Sequence, residues 1–284
     1  MNVINAYLNF MLRERSEKYI PSAFETVPDF YQQTFYWGII FCVLMVLIPK
    51  TISILFPAWY KSLDVKKIEE LPAYVTSLVH HITVVPLAWW WIYNDFLVTD
   101  PNEPYVPAAY LRFAAPFCLG FIVADTFFYA IPLIRRGNVE YIIHHALAFW
   151  MTYALLSSSG HLIRYFPHII ICDTTNGFFN LAWILRLSGF RDTVLVSFLE
   201  ISFAVLFFFL RIINLSTVFY LMFTSPDGNF GIGRFAFPLI SLLQFYWQFK
   251  IAQALSKKFL GSGSTKKNNN NKEATTSKDA KKSS

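Results

Sequence analysis

An all-α, polytopic membrane protein is the fold class this sequence predicts, and three observations predict it. Hydrophobic residues make up 55% of the 284-residue chain and charged residues only 15%, whereas a soluble domain carries about 25% charge. Seven apolar runs approach or exceed the roughly 20 residues a helix needs to cross a hydrocarbon core. The charges that remain gather in the connectors and in the C-terminal tail.

The N-terminal segment 1–33 carries Val3, Ile4, Tyr7, Leu8, Met11 and Leu12 at helical spacing. It reads as a short helix lying on a membrane surface or as a frayed tail. Arg13, Glu14, Arg15, Glu17 and Lys18 interrupt any apolar signal-peptide core, so none is expected. Membrane helices are predicted over 34–56, 74–93, 113–134, 140–159, 165–187, 193–223 and 233–255. Pro86, Pro116, Pro132, Pro167 and Pro238 fall in or beside these runs; kinks are expected where neighbouring groups satisfy the freed carbonyls. Gly261-Ser-Gly-Ser-Thr265 and the Lys/Asn/Ser/Thr tract after it cannot build a core, so the tail should be disordered. The organisation expected is a non-cytosolic segment 1–33, a first membrane helix with a basic cytosolic connector over 34–70, a six-helix unit over 71–256 and a disordered cytosolic tail over 257–284.

Connector charge sets the orientation. Lys50, Lys61, Lys66 and Lys67 flank the first connector, Arg135 and Arg136 the third, and Arg186 and Arg191 the fifth. Asp95, Asp100, Glu103 and Asp227 mark the opposite side. The positive-inside rule then places the C-terminus in the cytosol. The net charge of +6 is largely a property of the tail, where eight lysines follow residue 256 against Glu273 and Asp279. Tail lysines of this kind set topology or touch anionic lipid, and no nucleic-acid footprint accompanies them. Lys281 and Lys282 stand fourth and third from the end, as in the cytosolic dilysine signal by which coat machinery retrieves endoplasmic reticulum membrane proteins.

Cys42, Cys118 and Cys172 sit inside apolar runs with no CxxC spacing and read as small core residues. His168 and Cys172 at i, i+4 have a spacing that can hold a metal, but a single such pair is more simply packing. No metal and no cofactor are expected.

The informative residues are the ionisable ones within the runs. By helix rise, His144 and His145 lie roughly 6 to 8 Å from the cytosolic ends, His80 and His81 roughly 10 to 14 Å, and Asp125 near 15 Å. Asp173, Asn176 and Asn180 share one helix face by their i, i+3, i+7 spacing. Two aspartates facing lipid would cost about 5 to 7 kcal/mol. A polar chamber between helices in the cytosolic half is the cheaper arrangement; interhelical hydrogen bonds, worth about 0.6 kcal/mol each, are the bland one. Neighbouring helical residues point about 100° apart, so one histidine of each doublet lines the chamber and the other packs or donates elsewhere. A neutral imidazole there suits general-base work, with Asp173 or Asp125 fixing its tautomer. Arg211 lies deep in the sixth run and reads as snorkelling to the far interface or as holding a lipid head group in the chamber.

At these residues the chain resembles the TLC-domain family, membrane proteins that include ceramide synthases and translocon-associated TRAM proteins. The resemblance covers roughly 71–255 and rests on Ser77-Leu-Val-His80, Gly120-Phe-Ile-Val-Ala-Asp125, His144-His145, Phe179-Asn180-Leu-Ala-Trp183, Arg211, and Tyr246-Trp247 with Lys250. It is most similar to the transmembrane protein 56-like branch. The resemblance implies a barrel of six helices around a lipid-sized cavity, preceded by one extra helix. Ceramide synthases follow their doublet with His-Asp-x-x-Asp. Here the stretch reads Cys172-Asp173-Thr-Thr-Asn176, which keeps one acid and loses the histidine and the second carboxylate, so N-acylation of a sphingoid base does not carry over.

Three functions follow as expectations. The first is lipid handling in the endoplasmic reticulum membrane, with a bound lipid or fatty acyl chain and an effect on lipid homeostasis. The second is an acyl-CoA-dependent acyltransferase using His144 and His145 with Asp173, while His80, His81, Asp125, Asn176, Asn180 and Arg211 line the chamber. The third is a seven-helix receptor or transporter, against which the dilysine and the lack of an inverted repeat both count.

Overall fold

A computed structural model of the protein describes residues 27–97, 108–134, 137, 139–157, 160–224 and 236–260. All regular structure among them is helical. Contacts divide the chain into two compact units, Met1–Leu243 and Gln244–Ser284. The predicted N-terminal surface helix, the tail after Leu260 and the lysine pair at its end lie outside the described residues.

Helix α1, Phe30–Leu55, continues through Pro49 and stops where the Phe56 N–H turns back to the Ile52 carbonyl at 2.8 Å. Pro57 then opens the short α2, Pro57–Ser62, a first-turn position where its missing N–H costs nothing. Asp64 starts α3, Val65–Leu97, by accepting from the Lys67 N–H at 2.9 Å. The charged stretch expected to be a connector is therefore the first turns of α3. This is why α3 outruns the predicted 74–93.

Helix α4, Ala108–Asp125, passes into a π-helical turn, Thr126–Ala130, and then α5, Ile131–Ile134. Pro132 lacks the N–H that would close an α-turn onto Phe128, so a wider turn is the local solution. Helix α6, Val139–Ser157, carries the second histidine doublet. The single helix expected over 165–187 is instead broken: a 3-10 turn Gly160–Tyr165, α7, Phe166–Ile170, a second 3-10 turn Ile171–Asp173, and α8, Thr174–Leu187. Gly189, at φ 90°, ends α8. Its N–H bonds the Arg186 carbonyl at 3.3 Å and the Phe190 N–H bonds the Leu185 carbonyl at 3.0 Å, a Schellman closure. Thr193 caps α9, Val194–Leu206, which widens into a second π segment, Phe207–Asn214, before α10, Leu215–Thr224. Helix α11, Ala236–Leu260, extends across the unit boundary, and in the second unit Lys250 Nζ sits 4.5 Å from the Tyr246 ring centre.

Among the described residues, four stretches are long and apolar enough to cross a membrane: Phe30–Leu55, Val65–Asn94, Leu111–Leu133 and Val194–Thr224. The other three predicted spans are helical over their described residues but differ in kind. Glu140 and two histidines dilute α6, breaks interrupt 160–187, and glutamines and lysines dilute α11. Outward faces are apolar: Ile54 is 76% exposed, and Phe35, Trp90, Phe198 and Phe209 are likewise uncovered. Lipid is the solvent such faces suit, so helix association rests on close packing rather than on expulsion of water.

The α1–α4 seam shows that packing. A Cβ on Gly120 would lie 2.7 Å from Trp37 Cβ and 2.8 Å from the Gly38 nitrogen, whereas one on Gly38 would meet nothing nearer than 3.7 Å. Gly120 is thus where the backbones touch. Around it Trp37 packs edge-on to Phe113 and Phe117, and Phe41 edge-on to Phe117 and Phe121. Farther in, α3 crosses α8, and the buried polar side chains begin.

Candidate functional site

Two polar groups are built inside the apolar helices, each around one carboxylate. The first gathers on α3, α8 and the π segment that holds Arg211. Asp173, at the 3-10 to α8 junction, accepts from Arg211 Nη2 at 3.3 Å and from Asn176 Nδ2 at 3.0 Å, both on Oδ1. Arg211 also donates to Asn176 Oδ1 at 3.1 Å and, through Nε, to Thr175 Oγ1 at 2.9 Å. The other carboxylate oxygen of Asp173 faces His81 Nε2 at 3.7 Å. His81 Nδ1 lies 3.4 Å from Ser77 Oγ, one turn earlier on α3, and Ser77 Oγ accepts from Asn180 Nδ2 at 2.9 Å.

The expected snorkelling of Arg211 is overturned by these contacts: its side chain is 6% exposed and turned onto Asp173. A guanidinium paired with a carboxylate is cheaper to hold at depth than one reaching for a distant interface. The π segment supplies the reach, since an added residue per turn rotates Arg211 off the regular helical register. Asp173 keeps 26% of its side-chain surface accessible, so its carboxylate is not sealed within the helices.

The second group joins α4 to α6. His145 Nε2 lies 2.7 Å from Asp125 Oδ2, and His145 Nδ1 lies 2.8 Å from the Tyr141 carbonyl one turn back. Both ring nitrogens face acceptors, which is satisfied when the ring donates twice, as imidazolium against carboxylate. The pair is close to neutral as a unit. Asp125 is the last residue before the first π turn, so each group has a π segment beside its key ion pair. The ring of His144 stands at 90° to that of His145, 5.6 Å away.

His80 and His168 pack. His80 is 2% exposed, stacks on Phe121 at 4.1 Å and on Phe117 at 5.5 Å, and makes no hydrogen bond through either nitrogen. His168 Nδ1 lies 3.4 Å from Asn214 Oδ1, while Asn214 Nδ2 bonds the His168 carbonyl at 2.9 Å. Cys172 Sγ donates to the Leu210 carbonyl at 3.1 Å. His168 and Cys172 therefore tie the broken helix to the second π segment rather than forming a metal pair with each other.

Ligand atoms of His80, His81 and Asp173 do lie within 4.8 Å of one another. Arg211 already neutralises the one anion of that set, and a divalent ion would have to displace it. The donor set suits an ion poorly.

Of the residues the sequence singled out, Asp173, Asn176, Asn180, His81 and Arg211 come together in the first network, and Asp125 with His145 in the second. Ser77, Thr175 and Asn214 were missed as site residues, because none shares the i, i+3, i+7 face of Asp173, Asn176 and Asn180, and a lone hydroxyl or amide in an apolar run gives little signal until the partner helix is known.

A family model for the TLC domain matches residues 71–253. The chain belongs to the TLC domain family. The match runs from the first turns of α3 into α11 and so encloses both polar groups of this TLC protein. No curated protein matches the chain in sequence.

Proposed function

We propose that this TLC protein handles acyl lipid in the endoplasmic reticulum membrane and thereby contributes to lipid homeostasis. One observation carries the reading: a charge-balanced Arg211–Asp173–Asn176 network stands among apolar helices with the Asp173 carboxylate still accessible. A lipid brings both halves that such a place accepts, a polar head for hydrogen bonding and chains for the surrounding phenyl and aliphatic side chains. The lysine-rich segment after residue 256, Lys281 and Lys282 included, supports a cytosolic placement of that segment by the positive-inside rule. Purification in mild detergent followed by lipid mass spectrometry tests the reading. A defined lipid class retained above detergent background, and reduced by Arg211→Met, is the expected result; recovery of background lipid alone overturns it.

A second reading, acyl transfer from acyl-CoA, is favoured by the His145–Asp125 pair. Because both His145 nitrogens are engaged, the proton acceptor in such a reaction is His144, with His145 as its rigid neighbour. Transfer of a labelled acyl group that is lost in His144→Ala, with His145→Ala weakened through poorer folding, is the expected pattern; no transfer by the wild type removes this reading.

A further inference from the structure

The first network contains a directional chain that lipid binding does not require. Asn180 Nδ2 donates to Ser77 Oγ at 2.9 Å. The Ser77 hydroxyl is then free to donate to His81 Nδ1, 3.4 Å away. A proton on His81 Nε2 points at Asp173 Oδ2, 3.7 Å away, and Asp173 Oδ1 is held by Arg211 and Asn176. With the His81 proton on Nε2, the series runs from Asn180 through the Ser77 hydroxyl to His81 Nδ1, and the far side of the ring faces Asp173. We infer that Ser77 is an acyl-accepting nucleophile, with His81 as its base and Asp173 as the residue that positions His81, acting on an ester or thioester of a long-chain acyl group.

The parts fit the chemistry. A serine is a weak nucleophile until an adjacent base takes its proton, and the base needs a third group to fix its tautomer. Here the i, i+4 spacing on α3 sets the Ser77–His81 contact, and α8 brings Asp173 from across the interface. Arg211 holds Asp173 at Oδ1, and a neutral His81 with its proton on Nε2 can accept a proton at Nδ1. The distances are longer than in an assembled triad, as is common before substrate tightens the contacts. Ser77 is half-buried rather than sealed, and Asn180 Nδ2 is a donor beside the reacting oxygen.

In the first step Ser77 Oγ bonds to the acyl carbon and its proton passes to His81 Nδ1. The ester or thioester bond breaks, and the leaving alcohol or thiol takes that proton. Water or an acceptor alcohol then attacks the acyl-serine, again giving its proton to His81, and Ser77 leaves as the hydroxyl once His81 returns the proton. The inference rests on the reading that an acyl lipid enters this network.

The test uses the full-length protein in nanodiscs, a fluorophosphonate carrying a long alkyl chain, and peptide mass spectrometry. Expected are wild-type labelling at Ser77, its loss in Ser77→Ala, and a rate about 100-fold lower or worse in His81→Ala. Ser77→Cys should move labelling to a long-chain maleimide. Wild-type protein that retains lipid yet resists fluorophosphonate, or Ser77→Ala that is labelled as fast as wild type, overturns the inference while leaving lipid handling intact. Loss of co-purified lipid from the wild type removes both together.

Discussion

The two histidine doublets, on α3 and on α6, are the same pair of residues put to opposite use. In each, one imidazole meets a carboxylate from another part of the fold: His81 meets Asp173 at 3.7 Å and His145 meets Asp125 at 2.7 Å. The difference is who else holds the carboxylate. Arg211 holds Asp173 through its other oxygen, so His81 is not the sole partner of that acid and keeps Nδ1 for Ser77. Asp125 has His145 as its described cation, and His145 is fixed at both nitrogens as a strut between α4 and α6. A histidine beside an aspartate in a membrane is therefore a base or a brace according to whether a permanent cation has already claimed the acid.

The largest effect should come from breaking the first arrangement at its cation. Arg211→Met leaves Asp173 charged and short of its main partner, and removing one member of a buried ion pair costs about 3 to 5 kcal/mol. Thermal unfolding in detergent should show a large loss, and Arg211→Met with Asp173→Asn together should recover much of it. If the double variant is no better than the single, the neutralising role given to Arg211 is wrong.

A smaller effect is expected at the brace. Asp125→Ala removes the acceptor of His145, but an imidazole can shed its proton where a guanidinium cannot. The loss is then that of one strong hydrogen bond, about 1.5 to 3 kcal/mol, again read by thermal unfolding. A loss equal to that of Arg211→Met would erase the distinction between the doublets.

Much of this was legible in the sequence, and what was not has physical reasons. The i, i+3, i+7 spacing put Asp173, Asn176 and Asn180 on one face, and Asp173 and Asn176 are indeed bonded to each other. Asn180 instead reaches Ser77 on α3, a contact that depends on how α3 crosses α8 and has no trace in either segment alone. Arg211 was read as snorkelling because an isolated apolar run offers it no anion; the anion comes from 38 residues earlier in the chain. The π turn after Asp125 had a signal in Pro132. The one around Arg211 contains no proline or glycine, and only the tertiary pairing of Arg211 explains it.

The partner of each working histidine sharpens the contrast further. His80 is buried on phenyl rings with neither nitrogen bonded, a position where a polar group costs stability. His80→Phe should leave unfolding unchanged or raise its midpoint by a few degrees, matching a gain of about 1 kcal/mol or less. A clear loss of stability, or loss of bound lipid, would mean that His80 has a polar role after all.

Asp64 supplies the reference carboxylate, because it pairs in water rather than among helices. The Lys67 backbone N–H, and next its ammonium at 3.0 Å, hold the Asp64 carboxyl below its usual range. A group with a depressed folded-state pKa contributes stability above its unfolded value, near 3.9, and loses it as pH falls through the lower folded value. Asp64→Asn keeps a side-chain oxygen for the Lys67 N–H, so at neutral pH it should change unfolding least of all the variants here, and raised salt should shrink even that. Wild type and Asp64→Asn should converge as the pH drops below about 4, followed by unfolding midpoints across a pH series. If this exposed substitution proved as costly as Asp125→Ala, the medium around the carboxylate would not be what sets its worth, and the difference between the two doublets would need another cause.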